Sequence, residues 1–142
     1  WGNEKATNEA LIKKDDKIFY KTGDKGYIEK NFLFYEGRIK ENYKLSNGKF
    51  VNVLEVEEKI KDCVKGNFII FGENMEYNSI ISDTIIDEKT YNKINNKLDK
   101  YLRIDKVYMI KPKEMSQFMT PKMSIKRKPL TDYIYQKYIN KF

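Results

Sequence analysis

Apolar residues along this chain switch between two spacings, and the switches mark its parts. Residues 4–12 carry Ala6, Ala10 and Leu11 as a thin stripe at helical spacing, which Asp15-Asp16-Lys17 ends. The runs Ile18-Phe19-Tyr20 and Phe32-Leu33-Phe34-Tyr35 follow, with Tyr27-Ile28 between them. With turns at Thr22-Gly23-Asp24 and Glu29-Lys30-Asn31, they predict a hairpin over 18–35. From Gly37 to Asn47 the chain turns polar and rich in turn formers, which places a domain boundary at Arg38 to Lys40.

Beyond that boundary the order reads β, α, β, β, α, β, then a loop and a last helix. Asn52 followed by Glu55 predicts a capped helix over 52–63 with Val53, Val56 and Ile60 inward. Strands are expected at 68–71, 79–86 and 107–110. A helix over 87–101 shows the 3.6 period in Tyr91, Ile94, Leu98 and Tyr101. The closing helix, 129–142, turns Leu130, Ile134 and Tyr138 inward, and Pro129 is tolerated in its first turn. The pattern implies a small α+β domain with helices packed on a sheet of about three strands.

Composition narrows the chemistry. With 142 residues the chain is the size of one domain and can bury a real core. It starts at Trp1 without a methionine and without a segment that reads as a leader or a membrane span, so it is read as a piece of a longer polypeptide. Cys63 stands alone, which excludes an internal disulfide and points to a reducing intracellular compartment, cytoplasmic or on the cytoplasmic face of an internal membrane. The absence of histidine removes Ser-His triads and histidine metal sites.

The net charge of +7 suits nucleic acid, an acidic membrane or phosphorylated small molecules and does not choose among them. Of the 28 basic residues all but Arg38, Arg103 and Arg127 are lysine. That bias is read as codon composition rather than lysine-based function. The tyrosine-rich aromatics are scattered rather than gathered on one strand face, which favours packing over base stacking.

The richest segment for chemistry is Tyr20-Lys21-Thr22-Gly23-Asp24, followed by Gly37-Arg38-Ile39-Lys40 and Asn47-Gly48-Lys49-Phe50-Val51. A carboxylate on a tight Thr-Gly-Asp turn can accept hydrogen bonds from both hydroxyls of a ribose, and an arginine on the next strand can bind ribose or phosphate with its planar fork. Thr-Gly-Asp is also ordinary turn chemistry, and Asn-Gly suits a turn with or without a ligand. The order and spacing of the words carry the signal.

In that order the sequence resembles the adenylate-forming family, which includes acyl-CoA synthetases, nonribosomal peptide adenylation domains and luciferases. Trp1-Gly2-Asn3 with Lys5-Ala6-Thr7 is similar to the stretch before the family's ribose motif, and Phe19-Tyr20-Lys21-Thr22-Gly23-Asp24 to that motif. Gly37-Arg38-Ile39-Lys40-Glu41 resembles the interdomain hinge, and Asn47 to Val51 with Glu55-Val56-Glu57 the loop and helix that open the mobile C-terminal domain. Within the family, Lys44-Leu45-Ser46-Asn47-Gly48 and Met119 to Arg127 resemble the long-chain fatty acyl-CoA synthetase branch. Three departures stand out. Glu41 replaces the usual aspartate, the segment between Ile86 and Tyr91 is short, and Ser124 falls where the closing motif has its lysine.

The resemblance implies that residues 1–38 end an N-terminal adenylation domain and that 39–142 form the mobile C-terminal domain. It implies ATP and CoA as co-substrates, with Mg²⁺ bound mainly outside this chain, and fatty acid as the acyl donor. Partners are then these small molecules and the upstream domain of the same polypeptide, without nucleic acid, and the whole enzyme can associate with membrane. Asp24 is implied to hold the ATP ribose, Arg38 to contact ribose or phosphate, and Gly48 to line the CoA and pantetheine channel. Lys40 is implied as the hinge. For the missing closing-motif lysine, the expectation is an extended segment in which Lys122, Ser124 and Lys126 share one side, so that Lys122 or Lys126 takes over the bridge between carboxylate and phosphate. Two rivals stay open: an adenylating domain serving another acceptor, such as a carrier protein, and a lysine-rich nucleic-acid-binding module.

Overall fold

A computed structural model describes residues 2–139, and the chain divides into two compact units, Trp1–Lys40 and Glu41–Phe142. In the first, helix α1 (Glu4–Ala10) is capped by Asn3, whose side chain accepts from the Ala6 N–H at 3.0 Å. Strands β1 (Leu11–Lys14) and β2 (Lys17–Tyr20) follow as a hairpin, turned by Asp15 and Asp16 at φ 50° and 58°. Two successive positive φ values match the twist of a two-residue hairpin, and aspartate tolerates them. The expected helix over 4–12 therefore stops at Ala10, because Leu11 and Ile12 pair with Tyr20 and Phe19.

Strands β3 (Asp24–Glu29) and β4 (Phe32–Arg38) make a second hairpin, turned by Lys30 and Asn31 at φ 49° and 66°. The expected hairpin over 18–35 is thus two hairpins. Its first run pairs backward with β1 and its last run pairs with β3. Gly37 is the one buried residue among those described in this unit, and Ile18, Ile28, Phe32 and Leu33 are each at least 70% exposed. Isolated two-stranded hairpins are marginal in water, so this unit has the character of an edge rather than of a core.

The second unit has a core. Strands β5 (Tyr43–Lys44) and β6 (Phe50–Val51) form a short ladder before helix α2 (Val53–Ile60), which runs into a 3₁₀ turn at Lys61–Cys63. Strands β7 (Phe68–Phe71), β8 (Asn78–Ser82) and β9 (Ile104–Met109) make a sheet in that order, with β7 and β8 antiparallel and β8 and β9 parallel. A parallel neighbour requires a crossover, and helix α3 (Glu88–Asn96) lies on that connection. Helices α4 (Pro112–Ser116) and α5 (Arg127–Ile134) follow, and α5 continues as a π-helical stretch at Tyr135–Ile139.

Alternation along the strands splits the core into two layers. Ile70 and Ile80 pack with Val53, Val56 and Ile60 of α2 and Ile94 of α3, while Ile69, Phe71 and Ile81 pack with Met115, Leu130 and Ile134 of α4 and α5. Central strand β8 is buried on both faces. This is the α+β fold expected from the sequence, a three-stranded sheet covered by helices and preceded by hairpin structure. The strand expected ahead of the first helix is a two-strand ladder, β5–β6, and α4 is an addition.

Element ends differ from expectation for local reasons. The strand expected over 79–86 ends at Ser82, because the Asp83 carboxylate turns to accept from the backbone and side-chain N–H of Asn67, both at 2.8 Å. The helix expected over 87–101 ends at Asn96, since Asn95 is drawn to β9: its amide accepts from the Ile104 N–H at 2.8 Å and donates to the Ile104 carbonyl at 3.0 Å. That contact also starts β9 at Ile104, ahead of the expected 107. The closing helix starts at Arg127, and residues 140–142 of the expected helix lie outside the described residues. No helix among the described residues is long and apolar enough to cross a membrane.

Candidate functional site

In the first unit, Gly23 at φ 81° turns the chain into β3, and Thr22 Oγ1 accepts from the Asp24 N–H at 3.1 Å. The Gly23 carbonyl accepts from the Ile39 N–H at 2.9 Å, which ties the turn to the end of β4. Asp24 therefore sits opposite Arg38 in the ladder, with Arg38 Nε 3.5 Å from Asp24 Oδ1. A carboxylate and a guanidinium held side by side, both solvent-facing, present acceptors for hydroxyls next to donors for phosphate oxygens. At this exposure the pair itself contributes under about 1 kcal/mol to folding. The sequence-expected residues Asp24 and Arg38 are thus brought together.

The second unit holds the other candidates. Gly48, at φ 80°, closes a turn in which the Leu45 N–H donates to the Lys49 carbonyl at 2.9 Å and the Gly48 N–H to the Leu45 carbonyl at 2.8 Å. A side chain at Gly48 would meet open space, so its glycine is demanded by φ and not by protein crowding. The turn is held from both sides. Ser46 N–H donates to the Met75 carbonyl at 2.9 Å, and Lys49 Nζ lies 4.6 Å from the centre of the Tyr101 ring.

Residues 120–124 form a tight turn, not the extended segment expected. The Thr120 N–H donates to the Ser124 carbonyl at 2.8 Å, the two hydroxyls lie 2.7 Å apart, and Met123 adopts φ 61°. Met119 bridges Ile125 in antiparallel fashion. The cause is local: side chains of Thr and Ser offer the backbone and each other hydrogen bonds that an extended chain lacks. Lys122 consequently sits in the turn while Ser124 and Lys126 flank Ile125 on the returning arm, so the three residues do not share one side of a strand.

Arg127, which ends the stretch that resembles the closing motif, is held by two carboxylates. Its Nη1 donates to Glu57 Oε1 at 2.9 Å, its Nη2 donates to Glu57 Oε2, and its Nε lies 3.3 Å from Glu41 Oε2. Glu57 Oε1 also accepts from the Ile70 N–H at 2.8 Å, so this carboxylate closes an edge amide of β7. Burial disfavours the charged guanidinium, but the bonds and charge of Glu57, with the charge of Glu41, outweigh it and hold its pKa above the usual arginine value. Glu57 thus ties α2, β7 and α5 together.

Beside this pair, Tyr43 Oη donates to Asn78 Oδ1 at 2.6 Å, and Asn78 Nδ2 donates to the Leu102 carbonyl at 2.8 Å. Burial, then the Glu57 charge, pushes the Tyr43 hydroxyl far above its ordinary pKa, so it stays a donor. The sequence held one signal for this cluster. In a chain that uses lysine almost everywhere, an arginine marks a place where a two-pronged planar donor is needed. Among the described residues no group of three or more Cys, Asp or Glu side chains is disposed to hold a metal ion. No hydrogen bond or ion pair found among the described residues involves Lys40.

Comparison with known proteins gives the arrangement a context. No family model matches the chain. It is 31% identical over 140 residues to a D-alanine--D-alanyl carrier protein ligase of Bacillus anthracis, covering 91% of this chain and 27% of that protein. The chain thus spans about a quarter of the length of the curated relatives it matches. Among solved structures it is similar to the A-PCP didomain of carboxylic acid reductase from Segniliparus rugosus in complex with AMP. There the TM-score is 0.75 at 15% identity, covering 96% of this chain and 22% of the other. It is also similar to the anthranilate CoA ligase AuaEII in complex with anthranoyl-AMP, with a TM-score of 0.68 at 17% identity, covering 94% of this chain and 27% of the other. By sequence the chain is thus similar to part of a carrier protein ligase, and by fold to part of an adenylation didomain and of a CoA ligase.

Proposed function

We propose that this chain is the C-terminal part of an adenylating ligase that activates a carboxylate with ATP and passes the acyl group to the thiol of a carrier protein. The observation that carries the reading is the joint position of Asp24 and Arg38, on a nucleotide-motif turn, within a sequence 31% identical to a carrier protein ligase. The chemistry has two steps. The substrate carboxylate oxygen attacks the α-phosphorus of ATP and pyrophosphate leaves, and then the thiol sulfur attacks the acyl carbon and AMP leaves with the shared oxygen.

Asp24 accepts from the ribose hydroxyls and Arg38 steadies ribose or phosphate. Mg²⁺, where present, neutralises phosphate charge from ligands outside this chain. The first unit completes the preceding domain, which would cover its exposed Ile28, Phe32 and Leu33. Lys40 is the pivot between the two steps, and Gly48 keeps the pantetheine path open, as the free space at its α-carbon allows. With Ser124 engaged by Thr120, the bridging cation comes from a neighbour. Lys126 is favoured, because residues two apart on an extended arm lie about 6–7 Å from each other and a lysine stem spans most of that.

A second reading, a long-chain fatty acid:CoA ligase, keeps the support of its sequence words at 44–48 and 119–127. Carboxylate-dependent ATP–pyrophosphate exchange by the longer polypeptide, with D-alanine and other amino acids set against fatty acids, tests the donor. Transfer of label to a pantetheinylated carrier protein or to free CoA then decides the acceptor. Exchange with none of these carboxylates contradicts both readings. An intracellular, reducing location accords with either.

A further inference from the structure

Three consecutive residues after Lys40 are each tied by a side chain to a different element of the second unit. Glu41 Oε2 lies 3.3 Å from Arg127 Nε at the start of α5, Asn42 Oδ1 accepts from the Val53 N–H of α2 at 3.0 Å, and Tyr43 Oη donates to Asn78 of β8 at 2.6 Å. On the other side, Arg38 pairs with Asp24 and the Ile39 N–H donates to the Gly23 carbonyl. Lys40 stands between two anchored stretches without a tie of its own among the described residues.

We infer that Glu41, Asn42 and Tyr43 form a clamp, with Arg127 as its positioning residue, that confines turning at the junction to Lys40. The inference rests on the pivot reading of Lys40 and deepens it. A pivot works only if the chain on both sides moves with its own body, because slack spread over several residues lets the mobile part stop at many angles. Arg127 suits the task because Glu57 fixes its planar fork from two oxygens, leaving Nε aimed at Glu41. Its own position is set by α2, and it passes that position to the first residue beyond the pivot. The side-chain exposures follow this order: 14% for Glu57, 24% for Arg127 and 39% for Glu41.

Amide hydrogen exchange on the 142-residue chain tests the clamp without any enzyme assay. Its reporter is the Val53 N–H, which Asn42 holds, and its reference is the Ile80 and Ile81 amides inside the sheet. Glu41→Ala should raise exchange at Val53 and trypsin cleavage after Lys40 about three- to fivefold, while Ile80 and Ile81 stay as in the parent. Tyr43→Phe should do the same through its own tie. Unchanged exchange at Val53 in both variants overturns the clamp, as does a rise shared equally with Ile80 and Ile81, which would report general loosening. The pivot reading itself is judged separately, by Lys40→Pro in the longer enzyme, where an equal loss in adenylation and thiol transfer would count against it.

Discussion

Replacing Arg127 with methionine removes its pair with Glu57 and, with it, the contact of Nε with Glu41. The substitution keeps much of the side-chain volume and removes the cation. Glu57, with 14% of its side chain exposed, is left with the Ile70 N–H as its remaining partner from that cluster. Removing one partner of a buried pair costs about 3–5 kcal/mol because the other charge stays desolvated. Arg127 is 24% exposed, so water can partly replace it, and the expected loss is about 2–4 kcal/mol. For a unit of about 100 residues, that lowers the melting temperature by about 10–20 °C. Lys128 supplies the control. It is 86% exposed and pairs with Asp132 one helical turn on, so Lys128→Met should cost no more than about 0.5 kcal/mol. Urea or thermal denaturation of parent and variants measures both. A loss below about 1 kcal/mol for Arg127→Met, or equal losses for the two, would refute the assignment of Arg127 as the tie among α2, β7 and α5.

Three further outcomes follow from named contacts. Glu114 is held at a pKa of about 2 by the Lys137 ammonium first, then the Lys111 N–H and the Tyr133 hydroxyl. Its contribution is therefore complete above the ordinary 4.5 and fades as pH falls toward 2, and Glu114→Gln should flatten the stability of the chain against pH in that window. In the longer enzyme, Lys40→Pro should slow thiol transfer more than adenylation, read by single-turnover kinetics of the two half-reactions. Lys126→Ala should lower the adenylation rate by about 10²-fold, Lys122→Ala by less, and Ser124→Lys should raise it. Unchanged adenylation with both lysines replaced would remove them from the bridge.

Much of the second unit was legible because its sheet and helices obey simple spacing. Val53, Val56 and Ile60 fall on one face of α2 and are buried there, and Ile94 does the same for α3. Element ends were less legible, since they depend on partners remote in sequence. Asn95 leaves its helix to pair with Ile104, and nothing near residue 95 announces it. The first unit misled for a related reason: Ala10-Leu11-Ile12 continues a helical stripe until Phe19 and Tyr20 become available as strand partners. Of the candidate site, Asp24 and Arg38 could be read because their partnership is a hairpin register between nearby strands. The Arg127–Glu57 pair spans 70 positions, which local pattern cannot reveal. The turn at 120–124 escaped because hydroxyl pairing overrode an extended segment.

The central claim, that this chain supplies the ribose contact of an adenylating ligase, meets its most direct test in ATP–pyrophosphate exchange by the longer enzyme with Asp24→Ala. Asp24 is half-exposed and its pair with Arg38 is loose, so the substitution should leave folding within about 1 kcal/mol of the parent. Nucleotide use should nevertheless weaken by about 2–4 kcal/mol, the cost of losing a charged acceptor for both ribose hydroxyls, seen as a higher ATP requirement for exchange. Exchange with unchanged ATP dependence in a folded Asp24→Ala enzyme would make Asp24 a turn residue and contradict the account.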